Sequence, residues 1–382
     1  MLPTGVTFTD EQALIQKTAR DFAERHVRPT AAARDAEHRF PSDLVRPLAE
    51  LGLFGVKVPT DDGGPGGDTV AYALAIEALS SACASVGVTV AVCNLIADIL
   101  SAFANKEQKA RLLAPYLEGA RGVGSFCLSE PEAGSDPAAM RTTARRDGDD
   151  FVLDGTKQWI TNGTHAGLYL VFAKTDPALG KKGMTCFVVE RGTKGLVPGR
   201  PEKKMGLRSS DTVPLVLDGC RVPKENVVGE VGQGYAIALS ILDGGRIGIA
   251  AQSLGIGEAA LAEGVRYAQQ RSVFDTQLAS FQASQFVIAD SRTELDMAWL
   301  LTLRAAALRD RDGRSAKESS MAKLYASETC GRVVDRMLQL HGGYGYVEEF
   351  AIERLYRDAR VTRIYEGANE IQRFVIGREL LR

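Results

Sequence analysis

A chain of 382 residues, 45% apolar and 25% charged, has the length of two or three domains and the texture of a globular protein. A net charge of −2 and a pI of about 6.2 leave no excess of cations to neutralise a phosphate backbone, so nucleic acid is excluded as an expected partner. Its 6 cysteines form no CxxC pair and its 4 histidines no HExxH pair, which speaks against a metal site and a disulfide framework.

Met1 to Asp10 lack the basic start, apolar middle and small-residue cleavage site of a secretion signal, and an intracellular, cytoplasmic location is the expectation. From Asp10 to about Gly119 the pattern is helical. Asp10 is expected to cap a helix carrying Ala13, Leu14, Ile15, Ala19, Phe22 and Ala23, and Pro41-Ser42-Asp43 to start another carrying Leu44, Leu48 and Leu51. Asp61 to Gly67 is a loop. The apolar stretch from Val86 to Leu100 is interrupted by Thr89, Asn94 and Asp98 and is shorter than the roughly 20 residues that span a bilayer, so it reads as a buried helix rather than a membrane segment.

Between about Gly122 and Gly229 short β-branched and aromatic runs alternate with turns: Phe151 to Leu153, Tyr169 to Phe172, Cys186 to Val189, Val213 to Leu217. At the head of this segment, the small residues and hydroxyls around Gly134 in Phe126 to Asp136 suit either a plain turn or a loop whose amides face a polar ring or a phosphate. Trp159 and Thr161 pair an indole with a hydroxyl, which serves to cover a flat ring; the plain alternative for Trp159 is the core of the β domain.

Long helical periods return from Gly234. The run from Ala236 to Gln270 carries Gly244, Gly248, Ala251, Gly255 and Ala259 on one face, and each helical glycine costs about 1 kcal/mol relative to alanine. Something must approach that face closely, either a packed helix or a ligand at its amino-terminal end. Ala283 to Arg309 places Phe286, Leu295, Ala298, Trp299, Thr302 and Ala306 on one side, and a bundle is the expected solution for several such helices. Finally, Ile364 to Arg373 sets Glu366 beside Gly367 just before an amphipathic run with Ile371, Phe374, Val375 and Arg378. A glycine there frees the backbone to turn, and Glu366 is either solvated surface or a carboxylate held in a cleft.

Three of these stretches carry a resemblance. Leu128 to Asp136, then Gln339 to Tyr346 with Arg354 and Asp358, then Tyr365 to Arg373 resemble, in order, the signatures and the catalytic-glutamate loop of the acyl-CoA dehydrogenase family. Leu242 to Arg360 is most similar to its short-chain and branched short-chain members. The resemblance covers the whole chain and implies an α+β fold: an N-terminal helical domain (1–121), a small middle β domain (122–229) and a C-terminal four-helix bundle (230–382).

It also implies FAD, lying between the β domain and the bundle. Phe126, Cys127, Leu128, Ser129, Gly134 and Ser135 would meet the ring and its neighbouring phosphate; Trp159, Ile160 and Thr161 would meet the flavin. The ADP half would be taken from a neighbouring subunit by Arg271, Phe274, Phe281, Gln282, Gln339, Leu340, His341, Gly342 and Gly343, which implies an obligate oligomer, most often a homotetramer. Without the family, Arg271 reads as a surface ion pair. Ala368, Asn369 and Glu370 match further cofactor positions. Ser135, Asp243, Arg246, Tyr365, Gly367 and Arg378 match positions near the acyl-CoA substrate, although Asp243 and Arg246 are also spaced for an ion pair within one helix.

Glu366 would be the base that removes the α proton, opposite flavin, giving a trans-2-enoyl-CoA from a short straight or methyl-branched acyl-CoA. Electrons would pass to electron-transferring flavoprotein. Some relatives carry the base at the position of Gly245, which cannot serve. The alternatives are an oxidase using O2, whose members are much longer, a decarboxylating dicarboxyl-CoA dehydrogenase, and a nucleic-acid-binding damage-response homologue, whose basic extension is not expected after Arg382. Two positions depart from the family: Ala368 replaces a usual threonine, and Asp275 follows Phe274 where glycine is usual.

Overall fold

A computed structural model describes residues 5–381; Met1 to Thr4, at the head of the stretch scanned for a secretion signal, and Arg382 lie outside the described residues. Helix α1 (Asp10–Phe22) runs through a π turn into α2 (Arg28–Ala36), followed by α3 (Ser42–Glu50), α4 (Thr69–Ala82) and α5 (Ala84–Phe103), with the short α6 (Lys106–Gln108) and α7 (Ala114–Leu117) closing the region. Thr9 rather than Asp10 caps α1. Its hydroxyl accepts from the Gln12 N–H at 3.2 Å while the Gln12 side chain accepts from the Thr9 N–H at 3.0 Å. Asp10 instead sits in the first turn, where a negative charge meets the positive end of the helix.

Helix α5 is long and apolar enough to cross a membrane by length and composition, yet its residues are packed against α4 and the bundle. Its polar interruptions are satisfied inside the fold. Asn94 accepts from the Val56 N–H at 2.9 Å and donates to the carbonyls of Leu53 and Val90 at 2.8 and 2.9 Å. Asp98 forms an ion pair with Lys57.

The middle region holds β1 (Val123–Cys127), β2 (Thr143–Asp147), β3 (Asp150–Thr161), β4 (Ala166–Lys174), β5 (Met184–Glu190), β6 (Leu196–Pro198), β7 (Thr212–Val222) and β8 (Val227–Val228). They form one sheet in the order β6-β7-β3-β2-β4-β5-β8, with β1 parallel to β4. Phe151, Leu153, Ile160, Tyr169, Phe187 and Val213 build its own core. The antiparallel pairing of β3 and β7 slips between Lys157 and Ile160. Such a bulge re-aims a side chain, and Trp159, at φ 62°, leaves the core and is 62% exposed.

The C-terminal region comprises α8 (Gly234–Gln270), the hairpin β9 (Ser272–Val273) and β10 (Thr276–Gln277), α9 (Gln282–Asp312), α10 (Ala316–His341), α11 (Ala351–Ala359) and α12 (Asn369–Leu380). Helices α8, α9 and α10 pack on one another as the centre of the bundle, α12 lies on α10, α11 on α8 and α10, and α4 runs along α8. The glycine stripe is explained over most of its length by that approach: Gly248 lies under the Tyr72 hydroxyl, and a Cβ on Gly255 would stand 2.5 Å from the Glu77 carbonyl oxygen. Four large apolar side chains of the expected helical stripes point outward, Leu14, Leu51, Phe286 and Phe374.

Candidate active site

The chain leaves α11 through a 3-10 turn and reverses at Glu366 and Gly367, whose φ angles are 52° and 87°. A left-handed residue other than glycine costs about 1–2 kcal/mol, and a side chain on Gly367 would stand 2.6 Å from Gln372 Nε2. The reversal is offset by hydrogen bonds behind it. The Gly367 carbonyl accepts from Lys323 Nζ at 2.9 Å and Gln372 Nε2 at 2.8 Å. Asn369 accepts from Lys323 Nζ at 2.8 Å and donates to Glu328 at 2.8 Å. On the other side, the Tyr365 hydroxyl bonds to Gln252, which itself donates to the Ala84 carbonyl at 3.0 Å.

So held, Glu366 is half-buried and its carboxylate is turned toward α8. A Cβ on Gly245 would lie 3.0 Å from Glu366 Oε2 and 3.6 Å from Leu95. Burial pushes the carboxyl above the usual carboxylate range, and the nearby charges of Lys323 and Arg246 pull it part of the way back. Such a carboxylate is a stronger base than one in water. Arg246 pairs with Asp243 at 3.2 Å, the i, i+3 ion pair its spacing allowed, and Asp243 also accepts from the Ser315 N–H at 3.2 Å. Among the described residues no cluster of three or more His, Cys, Asp or Glu side chains is arranged as metal ligands would be.

The second group of expected residues lies on the β domain. Lys157, fully buried at an inward position of β3, donates to Glu130 at 2.8 Å and to the Leu128 carbonyl at 3.2 Å. Glu130 also accepts from the N–H groups of Arg141 and Thr142 at 2.5 and 3.0 Å. Burial alone would raise Glu130, but Lys157 and these amides hold it below the usual carboxylate range. The Leu128–Asp136 loop is thereby fastened to β3 beside the exposed Trp159, and the Gln158 N–H donates to the Ser129 carbonyl at 2.9 Å. Ser129, Thr161 and Phe126 are half-buried at this edge, with Gly134 and Ser135 exposed; Cys127 and Ile160 turn their side chains into the β core, leaving only backbone for a ligand.

A third group lines a cleft of about 660 Å³ that includes Arg271, Gln339, Leu340, His341, Gly342 and Gly343, together with Tyr267 and Tyr344; no residue of the Glu366 loop lines it. A Cβ on Gly342 or Gly343 would meet nothing within 4 Å, so the backbone there is open to a ligand. Arg271 lies over the Tyr344 ring at 5.7 Å, while His341 forms a buried wall, stacked on Tyr267 at 4.2 Å and bonded to the Met337 carbonyl at 2.7 Å. Phe274, 93% exposed, and Asp275 form the tip of the β9–β10 hairpin with φ 50° and 58°. Aspartate is among the few residues that replace glycine in such a turn. Phe281 and Gln282 begin α9, half-buried and exposed. Ala368 occupies the N-cap of α12 without a capping side chain, Glu370 is exposed, and Arg378 lies 5.9 Å from the Phe374 ring.

Lys323 and Lys157 escaped the sequence reading. An outward indole above a fastened polar loop, and an open cleft with an arginine and a glycine pair, fit the flavin and pyrophosphate parts of FAD respectively.

This fold and site define an oxidoreductase acting on adjacent CH groups. The chain matches the N-terminal, middle and C-terminal domains of acyl-CoA dehydrogenases over residues 9–120, 125–220 and 232–381, and it belongs to the acyl-CoA dehydrogenase family. It is 47% identical over 379 residues to the mitochondrial short-chain specific acyl-CoA dehydrogenase of Bos taurus, covering 99% of this chain and 92% of that one. Butyryl-CoA dehydrogenase from Megasphaera elsdenii superposes with a TM-score of 0.96 at 40% identity, covering 99% and 100% of the two chains. An acyl-CoA dehydrogenase from Bacillus anthracis complexed with FAD superposes with a TM-score of 0.91 at 34% identity over 100% of this chain and 68% of the other. The protein is an FAD-dependent acyl-CoA dehydrogenase.

Proposed function

We propose that the enzyme desaturates a short straight or methyl-branched acyl-CoA to the trans-2-enoyl-CoA, with Glu366 as the base. The observation that carries this reading is the Glu366 carboxylate seated against Gly245, a position where no side chain can compete with it. Bound FAD supplies the two-electron acceptor for the hydride that leaves the β carbon. Glu366 takes the α proton, and its backbone N–H polarises the thioester carbonyl as charge develops there. Ser129, Trp159, Thr161 and the loop around Gly134 orient the ring, and Arg271 with Gly342 and Gly343 takes the pyrophosphate of FAD bound mainly by a neighbouring subunit. That division makes the enzyme an obligate oligomer, a homotetramer by family resemblance, with electron-transferring flavoprotein as its electron acceptor and the cytoplasm as its location.

Crowding favours a short and uncharged tail. Leu95 and the Glu366 carboxylate both lie within 4 Å of the space a Cβ on Gly245 would take, and the Tyr72 hydroxyl crowds Gly248 one turn further along α8. The neighbouring cations are already engaged, Lys57 with Asp98 and Arg309 with Asp243 at 4.0 Å, which argues against a distal carboxylate on the substrate. Anaerobic bleaching of the flavin by a panel of straight, branched and dicarboxylic acyl-CoAs tests the reading. Short neutral acyl groups should bleach it and Glu366→Gln should not, with FAD retained; bleaching of that variant at the normal rate removes Glu366 from its role.

A further inference from the structure

Lys323, midway along α10, is fully buried, yet the oxygens it donates to are neutral: the Gly367 carbonyl at 2.9 Å and Asn369 Oδ1 at 2.8 Å. Taking an ammonium out of water costs several kcal/mol, so some negative charge must compensate it. Glu366, Glu328 and Glu370 are the carboxylates that act on it, opposed by Arg246. Glu328 is already engaged by Asn369 at 2.8 Å, Arg363 at 3.2 Å and Arg373 at 3.7 Å. The Glu370 side chain is 81% exposed and screened by water. Glu366 is left as the half-buried carboxylate, in the residue next to Gly367, whose charge acts on Lys323.

We infer that Lys323 is a positioning residue for Glu366: it clamps the two residues that close the left-handed turn, Gly367 and Asn369, and supplies the buried positive charge opposite the carboxylate. The inference rests on the reading of Glu366 as the base. Burial pushes the Lys323 ammonium down to about 8, so the charge is in place at neutral pH. Around Glu366 the other charged group is Arg246 on α8, and the other titratable groups are the phenols of Tyr72 on α4 and Tyr365 in the loop, both raised by burial and neutral there.

The test uses the purified FAD-loaded protein and its Lys323→Met and Asn369→Leu variants. Infrared titration follows the protonated carboxyl band that Glu366→Gln abolishes, and anaerobic flavin reduction is followed over the same pH range. Lys323→Met should raise the Glu366 midpoint by about one pH unit or more, a roughly tenfold gain in proton affinity, and shift the acid limb of flavin reduction with it. Asn369→Leu keeps the charge but loosens the clamp, and should slow reduction about tenfold while leaving the midpoint within a few tenths of a unit. A wild-type midpoint in Lys323→Met overturns the inference. If that variant does not fold as holoenzyme, Asn369→Leu decides, and reduction at the wild-type rate overturns it. Full activity in Glu366→Gln would sink the assignment of the base instead, while the infrared midpoint would still report on Lys323.

Discussion

Glu366 is turned toward Gly245 on the opposite helix: the carboxylate Oε2 stands 3.0 Å from where the β-carbon of residue 245 would be. Space for the base is therefore made by the helix opposite. Gly245→Ala should push the carboxylate aside by a few tenths of an ångström. Flavin reduction by a short acyl-CoA is expected to slow by about 10- to 100-fold with FAD content unchanged, as stopped-flow absorbance can show.

Burial raises Glu366 above its ordinary 4.5, and a base works only as the carboxylate. Flavin reduction should fall as pH is lowered, through a midpoint above that value. The limb belongs to proton uptake by the free carboxylate, so it is read from the pH profile of kcat/KM. A midpoint at or below 4.5 would contradict the upward push of burial on this carboxyl.

Lys157 and Glu130 form a buried pair that fastens the polar loop to β3. Removing one partner leaves an uncompensated charge, a loss of about 3–5 kcal/mol in comparable pairs. Lys157→Met should lower the denaturant midpoint accordingly and release flavin before the helices unfold, which parallel circular dichroism and flavin fluorescence would separate.

Ala368 stands at the N-cap of α12 in an extended conformation, φ −52° and ψ 154°, with no side chain to accept from the first N–H groups. Ala368→Thr supplies the missing acceptor. A gain of about 1 kcal/mol is expected, measured as a higher urea midpoint with the slope unchanged.

The three-part architecture was legible because each region keeps one hydrophobic period, helical before Gly119 and after Gly234 and alternating between them. Glu366 stood out because a glycine beside a carboxylate before a helix implies a forced turn, and its φ of 52° bears that turn out. What could not be read were contacts between distant residues. Lys323 meets Gly367 and Asn369 across 44 and 46 positions, and Lys157 meets Glu130 across 27; in sequence each lysine looks like solvated surface. Trp159 faces outward because of a bulge that depends on pairing with β7. Phe286 and Phe374 fit an apolar stripe yet sit on outward faces, since periodicity locates a face but not what covers it.

All 6 cysteines are free and buried, and burial raises the thiols of Cys93, Cys127, Cys186, Cys220 and Cys330. Thiolates, which do the reacting, are scarce and walled off. The native protein thus offers a chemically silent background: one cysteine introduced on an exposed helix would become a unique handle for a fluorophore, spin label or surface tether, without first stripping the natural ones from the core.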